Sequence, residues 1–318
     1  MRTVPDDFRA LSARLGSDPL QVQGPGGNTS IKSGDMMWIK ASGTELADAQ
    51  TKDIFVAVDR NAAMAEAQGA GDGTCKATVL DPDNTLRPSI ETTFHAYLDW
   101  AIVAHTHSVA TLVHAISSQG RIAAHEKLAG LPVAFAPYRK PGVPLTTAIM
   151  DVITPQTQIV ILENHGLVCA GADVAAVSAL IQEVETRLHM PVLTDDTTPP
   201  QSAPPKGYAW FHAATCLATD ARLNGLALAG SYYPDHVVFL GAGLPTADAP
   251  AICVGTTGVA LKTDATSSQM AMIQCLSDVL RRLPADWTPQ AIGLDAEAEL
   301  LNWDAEKYRQ ALAAKAND

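Results

Sequence analysis

An apolar run, Trp100-Ala101-Ile102-Val103-Ala104, stops abruptly at His105-Thr106-His107. Five consecutive apolar residues without helical spacing read as a buried β-strand. Residues i and i+2 of a strand point to the same side, so His105 and His107 project together from the strand end. A second apolar run, Ile159-Val160-Ile161-Leu162, is followed by Glu163-Asn164-His165-Gly166. A fold that covers both runs has three neutral nitrogen ligands to offer one divalent metal. Three histidines with an open position are the usual form of a catalytic zinc centre, whereas structural zinc sites are closed and mostly cysteine-built. His-x-His alone does not define such a site, because two ordinary histidines are the commoner meaning of that spacing.

At 318 residues the chain suits two domains, or one large domain with an extension. Hydrophobic residues make up 47% and charged residues 18%, a soluble globular balance, and no apolar run is long enough to span a membrane. The first residues, Met1-Arg2-Thr3-Val4-Pro5-Asp6-Asp7, lack the apolar core of a signal peptide, which predicts a cytoplasmic protein. Five scattered cysteines without C-x-x-C spacing predict reduced, buried side chains rather than disulfides or a thiolate zinc site. A formal net charge of -12 repels polyphosphate backbones, so no nucleic-acid partner is expected. An anionic small substrate needs locally placed donors.

Residues 6–190 alternate helical and strand patterns in the manner of an α/β domain. Helices are expected over residues 8–15, 90–97, 109–117 and 174–189, the last capped by Asp173, and strands over 36–40 and 54–58. The polar, proline-rich stretch 194–206 cannot continue a helix or a central strand and marks a linker between residues 1–193 and 207–318. Beyond it the pattern predicts helix over 208–217, strands over 237–240, 251–254 and 259–261, helix over 267–282, and a terminal helix carrying Leu300, Leu301, Tyr308 and Leu312. No internal repeat is present.

Gly24-Pro25-Gly26-Gly27-Asn28-Thr29-Ser30 is a glycine-rich turn whose backbone N–H groups and small side chains can close around an oxyanion. It fits neither the dinucleotide fingerprint nor the P-loop. Ala41-Ser42-Gly43-Thr44 repeats the combination after a strand. In Arg87-Pro88-Ser89-Ile90-Glu91, proline and serine precede a helix start that can offer its N-terminal dipole to an anion; the alternative is that Ser89 caps the helix and Glu91, inside the first turn, complements its dipole.

Taken in order, Gly-Gly-Asn-x-Ser, Ser-Gly, Pro-Ser-x-Glu, His-x-His and Asn-His-Gly resemble the class II aldolase and adducin family over nearly all of residues 6–190. The stretch 87–92 and the short gap to His105 look most like the aldolase part of bifunctional rhamnulose-phosphate aldolase/alcohol dehydrogenases. The resemblance implies a three-layer α/β/α domain with a central, mainly antiparallel sheet, plus a smaller C-terminal α/β extension. It also implies His105, His107 and His165 as ligands of Zn2+ or another divalent ion, and Glu91 as acid/base. Asn28, Ser30, Ser42, Gly43 and Ser89 become the phosphate cradle. Where other members read Pro-Ser-Ser-Glu, this chain has Ile90. Family members commonly form cyclic tetramers, which predicts a homo-oligomer. Residues 206–318 resemble extensions seen on some members, a similarity that brings no mechanism with it.

The chemistry stands without the family. A cation held by three neutral histidines keeps its charge, so it can bind both oxygens of a 2-ketose and stabilise the enediolate left by carbon–carbon cleavage while Glu91 moves the proton. The expected function is a metal-dependent aldolase-like lyase acting on a sugar phosphate or related hydroxy-ketone. A 4-epimerase or decarboxylase shares the metal enolate step, and a non-catalytic, adducin-like binding module is the alternative of another class. A cupin would carry a downstream Glu where Thr111 stands. His95, His114, His236, Tyr138-Arg139-Lys140 and the turn Gly255-Thr256-Thr257-Gly258 are expected in packing, loop or hairpin roles.

Overall fold

A computed structural model describes residues 3–195 and 198–315. The first region builds a seven-stranded sheet of β1 (Asn28–Ser33), β2 (Met36–Lys40), β3 (Phe55–Asp59), β4 (Ile102–Thr106), β5 (Val133–Ala136), β6 (Ile159–Leu162) and β7 (Gly166–Gly171), in the order β3-β2-β1-β4-β7-β6-β5. Neighbours run antiparallel except β5 and β6. Strand β4 lies near the middle and is buried along its whole length, which is why its sequence is a continuous apolar run.

Helices cover both faces. On one side α1 (Asp6–Ser17), α5 (Ser118–Lys127) and α7 (Val174–Leu188) pack Phe8, Leu11, Leu128 and Val184 against Ile102, Ala104, Ile161 and Cys169. On the other, α3 (Thr92–Tyr97) and α6 (Val143–Met150) pack Phe94, Leu145 and Ile149 against Val103, Val160 and Val168, while α2 (Arg60–Ala67) lies over β2 and β3. The alternation of Ile102 and Ala104 against Val103 is the period-2 signature of a strand covered on both faces. Asp173 caps α7 as its sequence suggests, accepting a hydrogen bond from the Ala176 amide.

The extension holds a three-stranded antiparallel sheet, β8 (Tyr208–Trp210), β10 (Gly258–Lys262) and β9 (Ala251–Val254), in that order, with residues 255–257 forming the β9–β10 hairpin turn. Its helices are α8 (Cys216–Thr219), α9 (Ala221–Ala229), α10 (Pro234–Leu240), α11 (Ser267–Leu280), α12 (Leu294–Asn302) and α13 (Asp304–Lys315). These do not close a core of their own. Leu217, Tyr232, Leu276 and Val279 share one apolar cluster with Val109, Leu112, Val113 and Ile116, which belong to or adjoin α4 (Val109–Ala115) of the first region.

Three expectations for the extension are corrected. Residues 237–240 are helical: all seven residues of α10 are buried, and a short apolar run looks alike whether it is a buried strand or a buried helix. Pro234, at the first turn of that helix, was the overlooked signal. Residues 208–217 are not one helix, because Tyr208 to Trp210 pair with β10 before the chain turns into α8. The terminal helix is two, broken at Trp303, whose backbone is extended. The five cysteines are buried and none is in a disulfide, and no helix among the described residues is long and apolar enough to cross a membrane.

Candidate metal centre

The β4 register sets His105 opposite Asn28 of β1 and Val168 of β7. The Nδ1–H of His105 donates to the Leu167 carbonyl at 3.0 Å, which leaves Nε2 as an acceptor aimed away from the strand. His165 sits in the tight β6–β7 turn, where Asn164 takes a left-handed conformation (φ 52°) that asparagine tolerates. A Cβ on Gly166 would stand 2.3 Å from the Thr106 carbonyl, so only glycine lets β7 start beside the His105-Thr106-His107 segment. The rings of His105, His107 and His165 lie 4.9–5.4 Å apart between centroids. One ligand nitrogen from each lies within 4.8 Å of the others.

Glu91 occupies the N-cap position of α3, yet its side chain caps nothing. Its carboxylate instead faces the histidines, with one oxygen 3.5 Å from His105 Nε2 and the other 3.5 Å from His165 Nε2. Asn28 Nδ2 donates to that carboxylate at 2.8 Å. The amide is held in this sense by His95, whose Nε2–H donates to Asn28 Oδ1 and whose Nδ1 accepts from the Ser30 hydroxyl at 2.8 Å. His95 is therefore an orienting residue behind Asn28, and the Ser30 hydroxyl is spent on it rather than turned to the cavity.

Burial pushes the imidazoles of His107 and His165 down to about 3 and outweighs the nearby carboxylates. Both rings are thus neutral, with lone pairs free, at ordinary pH. Burial alone would raise the Glu91 carboxyl, but His105, His165, the Asn28 amide and Arg309 together hold it below its usual range.

The cavity beside these groups has a volume of about 20 Å³, enough for a water or an ion. It is lined by Asn28, Ser42, Gly43, Ser89, Glu91, His107 and His165 from the expected set, with Ile90 and Pro141. Ser42 Oγ is buried without a hydrogen-bond partner, and Ser89 Oγ accepts from the Glu91 amide at 3.2 Å. An adjoining chamber of about 400 Å³ shares Ser42 and Ile90 and is flanked by Trp303 and Tyr308.

Three lining residues escaped the sequence reading: Lys40, Asp235 and Arg309. Lys40 is a charged residue at the end of the apolar strand β2, immediately before the Ser42-Gly43 turn, and that position was its signal. Its ammonium donates to the carbonyls of Pro25 (2.7 Å) and Gly27 (3.0 Å), fixing the glycine-rich turn, and burial lowers it to about 7. Asp235 and Arg309 come from α10 and α13. Arg309 donates through two nitrogens to the two Asp235 oxygens at 2.9 and 3.0 Å, and to Glu306 at 2.9 Å. His236, next to Asp235, points elsewhere, with Nε2 donating to the Gly243 carbonyl at 2.9 Å. His114 bonds Ala110 and Lys127 away from the centre.

The residues present fit a divalent ion. Nε2 of His105 and Oε1 of Glu91 are buried without hydrogen bonds, and His165 Nε2 lies 3.5 Å from that same carboxylate oxygen, an arrangement whose desolvation cost a bound cation would offset. Neutral imidazoles and a carboxylate form a borderline donor set suited to zinc or a similar cation.

The fold is mixed α/β around a central sheet, and it carries a three-histidine cluster that could hold a metal ion. The sequence pattern of the class II aldolase and adducin N-terminal domain matches residues 10–192, and the chain belongs to that family. An uncharacterized oxidoreductase, YuxG of Bacillus subtilis, is 31% identical over 176 residues, which is 49% of this chain and 25% of that protein. The chain thus spans about a quarter of that relative's length. Among solved structures, the N-terminal class II aldolase domain of a conserved protein from Thermoplasma acidophilum is 27% identical with a TM-score of 0.51, covering 59% of this chain and 93% of that one. L-fuculose-1-phosphate aldolase from Thermus thermophilus is 16% identical with a TM-score of 0.38, covering 57% and 92%.

Proposed function

We propose that this chain is a metal-dependent aldolase-like lyase that cleaves a carbon–carbon bond in a sugar phosphate or related hydroxy-ketone. The observation that carries the reading is the buried cluster of His105, His107 and His165, one ring nitrogen of each within 4.8 Å of the others, with the Glu91 carboxylate 3.5 Å from His105 Nε2 and from His165 Nε2. The three histidines hold the cation, and a divalent ion there supplies Lewis-acid stabilisation of negative charge on substrate oxygens. Glu91 holds or moves the proton at the reacting carbon. Its carboxylate stays ionised because His105, His165 and Asn28 favour the charged form against burial, and the Asn28 amide keeps it facing the centre. Asn28, Ser42, Gly43 and Ser89, with Lys40 behind the glycine turn, offer the donors an anionic group of the substrate requires. Ile90 gives one wall an apolar surface.

In this reading residues 1–193 carry the chemistry, and residues 207–318 close the site rather than form a separate unit. The test is elemental analysis of wild type and His105→Ala purified in parallel without chelator, followed by a ketose-phosphate cleavage screen with Glu91→Gln as control. Wild type is expected to hold near one equivalent of a divalent ion and His105→Ala none, and Glu91→Gln to keep its metal while losing about 10²–10⁴-fold in turnover. A wild type that neither holds nor takes up a divalent ion refutes the proposal.

A further inference from the structure

The family match ends at residue 192, yet two side chains from beyond it reach the metal centre. Asp235 Oδ2 lies 3.4 Å from His107 Nδ1, with both side chains buried. Metal-binding histidines characteristically give their second ring N–H to a carboxylate or carbonyl, which fixes the tautomer and raises the ligand's basicity. His105 has such a partner in the Leu167 carbonyl. His107 Nδ1 makes no hydrogen bond, and among the described residues the one carboxylate at ion-pair distance from it belongs to α10.

We propose that Asp235 is the positioning carboxylate for His107, so that the C-terminal extension supplies part of this chain's metal centre. This rests on the metal-site reading above. A proton on His107 Nδ1 directed at Asp235 leaves the Nε2 lone pair for the cation. Three further features hold the carboxylate in place. Arg309 grips it through both oxygens and is itself tied to Glu306, an arrangement that fixes orientation as well as charge. Asn164, adjacent to the ligand His165, donates its amide to the carbonyls of Tyr232 (2.9 Å) and Gln290 (2.7 Å), pinning the segment that leads into α10 to the β6–β7 turn. Gly26 makes room for the contact, since a Cβ there would lie 2.8 Å from both Asp235 Oδ2 and His107 Nδ1. The glycine-rich turn, the ligand histidine and the extension therefore meet at one point, and each is shaped for the others.

The experiment is Zn2+ affinity of the full chain, measured by competition with a chromophoric chelator. The variants are Asp235→Asn and Gly26→Ala, with circular dichroism and the thermal midpoint of the metal-free proteins as folding controls. Asp235→Asn is expected to bind Zn2+ about 10–100-fold more weakly, while its Co2+-saturated visible spectrum keeps the wild-type band intensities because the coordinating set is unchanged. Gly26→Ala leaves the Asp235–Arg309–Glu306 cluster chemically intact but drives Asp235 and His107 apart, and is expected to weaken Zn2+ in the same direction. It is the decisive variant if Asp235→Asn does not fold. Folded variants with wild-type Zn2+ affinity overturn the proposal, as does a Co2+ spectrum showing a change of coordination number, which would make Asp235 a direct ligand. Loss of metal in His105→Ala alongside unaltered affinity in Asp235→Asn removes this inference and leaves the metal-site reading standing. A wild type that binds no metal removes both.

Discussion

The two regions reach the same cavity by different means. Residues 28–165 present Asn28, Glu91, His107 and His165 to it, and set His105 in the same histidine cluster, from strand ends and tight turns, each inside a short stretch whose chemistry is visible in the chain. The extension presents Asp235 and Arg309 from two helices 74 residues apart in sequence, joined by a buried bidentate ion pair. The first half is built of neutral rings around an acid, and the second is a charged pair that is stable only because each member has the other. Local sequence patterns can encode the first kind of site. The second exists only once α10 and α13, far apart in the chain, have packed together.

That difference is sharpest when one member of the charged pair is removed. Arg309→Met is expected to cost about 3–5 kcal/mol, because it strands Asp235 as a buried carboxylate, and urea denaturation measures it. A loss below about 1 kcal/mol would show the pair to be accessible to water and its place at the centre incidental.

Leu112 tests whether the regions are energetically separate. It lies on α4 within the cluster the extension completes, so Leu112→Ala is expected to cost about 2–5 kcal/mol and to shift far-UV circular dichroism and tryptophan fluorescence transitions together. Two separated transitions would make the extension an independently folding unit.

Acid and base sensitivity also divide between the regions. His107 and His165 are held at about 3 by burial and His114 at about 4, against an ordinary 6.5. A depressed histidine favours the fold above the unfolded value, and that stability is lost as pH falls from 6.5 toward 3, at about 1.4 kcal/mol per unit for each ring. Glu306 runs the other way. Burial raises it to about 7 from 4.5, so its contribution is full below 4.5 and lost as pH rises to 7. Metal-free wild type is therefore expected to become more stable from pH 4.5 to 6.5. The advantage of Glu306→Gln over wild type should grow across pH 4.5–7 by up to about 3 kcal/mol. Parallel stability curves for the two proteins would rule out a buried, proton-holding Glu306.

Much of this was written in the sequence. Strand β4, the shared side of His105 and His107 and the Asp173 cap follow from an apolar run, period-2 spacing and local capping chemistry, because short-range sterics decide them, whereas the sheet covered on both faces was implied by the family resemblance. Ser30 shows where such inference stops. Its place in a glycine-rich turn suggests an anion contact, yet the β1 register turns its hydroxyl to His95. The extension was least legible. Residues 237–240 carry no periodicity that separates strand from buried helix, and nothing near Asp235 or Arg309 announces a partner so distant in the chain.

The smallest predicted effect lies where the regions touch. Gly43 lines the cavity with φ 79°, and a Cβ there would stand 2.4 Å from Leu312 Cδ1 of α13. Gly43→Ala carries two costs that can be told apart. The left-handed conformation costs an L-residue about 1–2 kcal/mol wherever it occurs, and that part belongs to the first region alone. The collision with Leu312 is with the flexible end of a side chain and belongs to the junction. Combining Gly43→Ala with Leu312→Ala isolates it: the double variant is expected to be less destabilised than the sum of the singles by about 0.5–1 kcal/mol, because the second change removes the collision while the backbone strain stays. Additive effects would place the whole penalty in the turn and separate α13 from the wall of the cavity it covers.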